Sequence, residues 1–211
     1  CVGLSVLGVR LYLHRTSSGR TDATGTHPQS AAPTSKQTVR YWVDPHYLTK
    51  YQQQLAGYVQ SLTGSESVAV VDVDTGAAIG VSQDQLLRAA SVNKLELVVE
   101  LYQRSVQHEL DLDASTTVAD DEVQNYGTGT LQLQGGGHSY TYRELAQYLI
   151  EQSDNTAAYV LGQRLGLDAV QADLTTWGLK HTSMQDNYTT AADTALLLTR
   201  LEKRELLPDA Q

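Results

Sequence analysis

Residues 89–98 read Ala-Ala-Ser-Val-Asn-Lys-Leu-Glu-Leu-Val. They place Ser91 three positions before Lys94, at the head of an apolar run that goes on through Val98 and Val99. The spacing predicts a helix from Ser91 to about Gln107. Residues three apart share a helix face, so both side chains are expected in its first turn, where the macrodipole is positive. A serine hydroxyl is a poor nucleophile until a base takes its proton. A lysine can be that base only when neutral, and burial and positive potential both favour the neutral amine. Of the five lysines, Lys94 alone has a serine three residues before it. A Ser-x-x-Lys still arises by chance about once in a chain of this size. By itself the pair reads equally well as a serine N-cap and a lysine snorkelling from a surface helix.

A second cluster changes that balance. Ser153-Asp154-Asn155 falls in the break between two predicted helices. Such a triplet makes a good helix N-cap, yet its composition also suits acyl transfer. Ser153 can relay a proton between a lysine and a leaving group, Asn155 can hold a substrate amide, and Asp154 can brace the turn.

Ser91-Val-Asn-Lys94 followed by Ser153-Asp-Asn155, with GTGTLQ (127–132) and YTYRELAQYLIEQ (140–152) between them, resembles the penicillin-recognising serine enzymes, specifically the class A β-lactamase-like family. The likeness runs from about Gln54 to Leu207, including the hairpin VAVVDVDTG before the serine and the helix TTAADTALLL near the end. It implies an α/β (α+β) fold in which a five-stranded antiparallel sheet packs beside an all-helical lobe, with the site in the cleft between. It also implies roles: Ser91 as the acylated serine, Lys94 as its base partner, Ser153 as the proton relay and Asn155 as the substrate-binding asparagine. The substrates implied are β-lactams or peptidoglycan stem peptides. The activity implied is serine hydrolysis or the related peptidase and transpeptidase chemistry of penicillin-binding proteins; a non-catalytic surface module is the rival from another class. No cofactor or metal is implied.

Two departures matter. The family's third motif, Lys-Thr-Gly on a sheet strand, does not occur in these 211 residues. The sheet is therefore expected to hold only its first two strands, the chain to be a piece of a longer protein or to take the third motif from another chain, and the hairpin's inner face to lie uncovered. Class A enzymes also activate the deacylating water with a glutamate after the Ser-Asp-Asn cluster, and no glutamate lies between Glu151 and Glu202. Asp186 is the nearest substitute.

The remaining sequence frames this core. Net charge is −9, which argues against a nucleic-acid-binding face and mainly means solubility. Residues 1–15 include the apolar stretch Val2–Leu13, too short to span a bilayer, and read as a partial N-terminal membrane anchor or signal. Residues 16–40 are rich in Ser, Thr, Gly, Pro and Ala and read as a flexible linker. A folded domain over 41–211, displayed outside a bacterial membrane, is the expected layout. Cys1 is the only cysteine, so no internal disulfide exists. Within the domain, helices are expected over Pro45–Leu62, from the capping box Thr141–Glu144 to Gln152, from Asp154 to Leu165, after a cap at Asp168, and from Thr190 onward. Ser67–Val73 and Ala77–Val81 should form a hairpin, and Asp111–Gln134 an irregular stretch whose glycines do not continue into a phosphate-binding loop. The six histidines are scattered and match no zinc motif.

Overall fold

The computed structural model describes residues 45–208. The expected anchor, the linker and the start of the domain near Tyr41 lie outside the described residues. Helix α1 spans Pro45–Gln60 and is followed by an antiparallel hairpin, β1 (Val68–Val71) and β2 (Ala78–Val81), with Val68 opposite Val81. Asp72 builds the turn: its Oδ1 accepts from the Asp74 and Thr75 amides at 3.0 and 2.9 Å, and Gly76 takes the left-handed conformation that a glycine enters without steric cost. The carboxamide of Gln52 on α1 acts as a surrogate peptide group on β2, donating to Gly80 O at 2.7 Å and accepting from Gly80 N at 2.9 Å.

After β3 (Leu87–Arg88) come a 3₁₀ turn over Ala90–Asn93 and helix α2 (Lys94–Val106). Then follow β4 (Ser115–Thr117), β5 (Ser139–Thr141), α3 (Tyr142–Gln152), α4 (Asn155–Leu165), α5 (Leu167–Thr176), β6 (Tyr188–Thr189) and α6 (Ala191–Glu202). The core lies in the helical part: Leu97, Val99 and Leu101 of α2 meet Leu145 and Leu149 of α3, Val160 and Leu161 of α4, Leu174 of α5 and Leu197 of α6. The hairpin is flanked by α1 on β2 and α6 on β1, but none of its residues is fully buried, and Val70 is exposed. Among the described residues no helix is long and apolar enough to cross a membrane.

Several local expectations hold and several shift. Thr141 accepts from Glu144 N while Glu144 accepts from Thr141 N, and Thr190 accepts from Asp193 N at 3.0 Å, so both caps form as read. Asp168 does not cap α5. Gly166 occupies that position at φ 78°, and the Asp168 carboxylate instead accepts from Gln185 Nε2 at 2.6 Å. Residues 111–134 are not wholly irregular, because β4 pairs with β5 across them. The helix expected from Ser91 starts at Lys94. Ala90 sits at φ 50°, residues 90–93 wind as a 3₁₀ turn, and the Asn93 amide donates to Ser183 O and Asn187 Oδ1 at 3.2 and 3.4 Å while its own Oδ1 caps nothing.

The far face of α2 carries two buried acids. Glu100, 2% exposed, is raised by burial, against its ion pair with Arg104 at 2.5 Å, and the nearby Asp173 charge adds to the rise. Glu96, 1% exposed, has no hydrogen-bond partner for either oxygen. Burial, joined by the nearby Asp193 charge, pushes its carboxyl up to about 7 from the ordinary 4.5. The folded state thus keeps a proton that the unfolded chain releases. The contribution of Glu96 to stability is fully present below the unfolded value of 4.5, falls as pH rises toward about 7, and is level above that. The loss amounts to roughly 3 kcal/mol. Glu96→Gln is expected to lessen this slope, leaving the share that belongs to Glu100, and to be the more stable form at pH 8, read by urea denaturation across the interval; a slope unchanged from the parent would overturn the assignment to Glu96.

Candidate active site

The Ser153–Asn155 turn is set by the ends of two helices. Ser153 closes α3 in the left-handed conformation (φ 52°, ψ 38°), a strained choice for a residue with a Cβ. Asp154, 1% exposed, caps α4. Its Oδ1 accepts from Ala157 N and its Oδ2 from Leu131 N, both at 2.9 Å, so the buried carboxylate is satisfied on both oxygens and locks the turn to the loop before it. That loop, Tyr126-Gly-Thr-Gly-Thr130, wraps the turn closely. Tyr126 O accepts from Asn155 Nδ2 at 2.9 Å, Thr128 O accepts from Asn155 N at 3.0 Å, and Thr128 Oγ1 donates to Ser153 O at 2.7 Å. The two glycines are steric requirements. A Cβ on Gly127 would stand 2.2 Å from Asn155 Nδ2, and one on Gly129 2.0 Å from Asp154 Oδ2.

Lys94, the first residue of α2, reaches across to this turn. Its Nζ donates to Asn155 Oδ1 at 2.7 Å, to Ser153 Oγ at 3.1 Å and to Ser153 O. Three N–H groups meet three acceptors, the pattern of a charged ammonium. Burial nevertheless pushes Lys94 below its ordinary value, against the opposing pull of the Asp154 charge. A neutral amine has only two hydrogens and a lone pair. Of the three partners only the Ser153 hydroxyl can reverse and donate, so it alone can meet the lone pair of a neutral Nζ without moving a heavy atom.

Ser91 lies in the 3₁₀ turn, exposed, and lines a cavity of ≈ 240 Å³ together with Lys94, Ser153, Leu149, Ile150 and Leu198. The structure therefore puts Ser91, Lys94 and Ser153 on one wall and holds Asn155 against Lys94. It does not join Ser91 to Lys94: among the described residues no hydrogen bond links them, and the lysine points its protons at the turn instead. The Ser91 turn is fixed from its other side by Asn93 and by Ala89, whose amide donates to Asn187 O at 3.0 Å. Asn93, Thr128 and Asn187 were not singled out from the sequence. The two glycines around Thr128 were the available signal, since isolated glycines mark close backbone approach. No carboxylate lines the cavity among the described residues; Asp186 is exposed and accepts from Ser183 Oγ at 3.0 Å in a surface turn.

A helical lobe, an antiparallel hairpin and a Ser-x-x-Lys turn facing a Ser-Asp-Asn turn define a β-lactamase-like protein. The chain belongs to the β-lactamase enzyme family, whose sequence model matches residues 50–211. Among solved structures it is similar to PBP-A, with 28% identity and a TM-score of 0.69 over 76% of this chain and 64% of that one. A variant of PBP-A in an acyl-enzyme complex with penicillin G gives 29% identity and a TM-score of 0.70 over the same shares. A β-lactamase from Sphaerobacter thermophilus shares the fold at 22% identity and a TM-score of 0.66, covering 78% of this chain and 64% of that one. The chain thus spans 64% of the length of these structures. No curated protein sequence matches it significantly.

Gly129→Ala tests the packing of the loop on the turn. The added methyl meets Asp154 at 2.0 Å in a backbone at φ 106°. A loss of about 2 kcal/mol or more is expected, read as a melting temperature lower by roughly 4–8 °C; an unchanged melting temperature would mean that the loop does not clamp the turn.

Proposed function

We propose that the protein is a serine acyl-transfer hydrolase that takes β-lactams or the D-alanyl peptides of peptidoglycan through Ser91. The observation that carries this reading is the half-buried Lys94, held by Ser153 and Asn155 on the wall where Ser91 opens to the cavity. In the proposed reaction Lys94 acts as the neutral amine that burial favours, its surplus proton released to solvent through the open cavity. A small swing of its side chain brings the lone pair to Ser91. Ser91 Oγ attacks the substrate carbonyl carbon and its proton passes to Lys94 Nζ. The Ser91 N–H, at the start of the 3₁₀ turn, donates to the oxygen that gains charge. The C–N bond then breaks, and the leaving nitrogen is protonated through Ser153 Oγ, leaving an ester on Ser91. Asn155 keeps one amide hydrogen and one lone pair beyond its bonds to Tyr126 and Lys94, enough to hold a substrate amide.

A second reading within the same chemistry rests on the cavity's lack of a carboxylate. Without a general base for water the ester is long-lived, which fits a penicillin-binding peptidase or transpeptidase better than an efficient lactamase. Either activity belongs outside the cytoplasm, where peptidoglycan lies, and an anchor within residues 1–15 would hold the enzyme there.

A fluorescent penicillin is expected to label the protein covalently and not its Ser91→Ala variant. Lys94→Met should slow labelling by about 10²- to 10⁴-fold, the usual worth of a general base. Nitrocefin should give a single burst with little steady turnover. Steady hydrolysis would select the lactamase, and absence of label in the parent protein would leave a non-catalytic binding module.

A further inference from the structure

The Ser153 carbonyl oxygen accepts from two side chains at once, Lys94 Nζ and Thr128 Oγ1. Like Asn155 Oδ1 it can never become a donor, and the two together favour the charged ammonium over the neutral amine. A carbonyl that already accepts one strong hydrogen bond is a weaker acceptor for a second donor. Thr128 is also placed with little freedom. Its hydroxyl holds Ser153 at one end of the turn, its carbonyl holds Asn155 N at the other, and it stands between two glycines whose positions admit no side chain.

We propose that Thr128 is a positioning residue for the acylating centre: by sharing the Ser153 carbonyl, its hydroxyl loosens that oxygen's hold on Lys94 and keeps the lysine free to act as a base. The proposal rests on the reading of Ser91 and Lys94 as the acylating pair. The other charge acting on Lys94 is Asp154, from the junction of α3 and α4; Glu96, on the lysine's own helix, is coupled to Asp193. Neither is altered by a change at Thr128. Loss of the hydroxyl hands the carbonyl wholly to the ammonium, so the lysine should hold its proton to higher pH.

Thr128→Val is nearly isosteric and removes only the donor, while Thr128→Ser retains it. Labelling by fluorescent penicillin, followed against pH, is expected to show the acid limb of the Val variant moved up by about one pH unit and its rate near neutrality reduced about tenfold, with Thr128→Ser restoring the parent profile. Lys94 titration by NMR should move in the same direction in the Val variant, whether or not the protein labels. An unmoved limb, or a rate lowered equally at every pH, overturns the proposal and leaves Thr128 as a loop anchor. If the parent does not label while the Lys94 titration still moves, the acyl-enzyme reading falls and the coupling of Thr128 to Lys94 stands. An unmoved titration refutes the coupling whatever the labelling shows.

Discussion

The ammonium group of Lys94 ties the molecule's two essential turns together. It rises from the first residue of α2 and ends among the oxygens of Ser153 and Asn155, 59 and 61 residues along the chain. A half-buried cation is tolerated only where acceptors replace water, and here three do. That requirement fixes how α2 meets the junction of α3 and α4, and with it the wall of the cavity onto which Ser91 opens. The same burial that makes the group demanding also moves it toward neutrality, so the structural tie and the chemical potential of the site have one origin.

Each end of this tie is braced by residues that take no part in it. Asp154 spends both carboxylate oxygens on backbone amides, one in α4 and one in the preceding loop, and so holds a turn that contains a left-handed serine. On the other side Asn93 and Ala89 hold the Ser91 turn against residues 183–187, and Ala90 is left-handed too. Strained backbone before Ser91 and at Ser153 persists only because neighbouring structure over-determines it, a pattern common at functional sites. The back of α2 works against stability instead. Glu96 and Glu100 sit in the core facing Asp193 and Asp173, so the helix that presents Lys94 to the cavity carries its acids inward.

The site also explains how a family of one fold can divide in function. Among the described residues Ser91, Lys94 and Ser153 line one cavity, and no carboxylate lines it with them. Asp186, the nearest substitute in sequence, folds back on Ser183 at the surface.

The sequence by itself determined what short-range forces control. Helical periodicity over α1, α2, α3 and α6, the caps at Thr141 and Thr190, and the Asp72–Gly76 turn all depend on residues a few positions apart, and all were legible. So were the residue types of the site, because Ser-x-x-Lys and Ser-Asp-Asn are compact clusters. Tertiary structure decided the rest. Strands of two or three residues such as β3 and β6 carry almost no pattern of their own. They exist because Leu87 finds Thr189 across the fold. The turn over 90–93 winds as 3₁₀ ahead of α2, with the Asn93 amide tied to residues 183 and 187 and Ala89 to Asn187, partners that only the folded chain supplies. Lys94 likewise turned to Ser153 and Asn155 and not to the serine three residues before it, since a buried ammonium goes where acceptors are most numerous, and only the folded chain brings those acceptors to it.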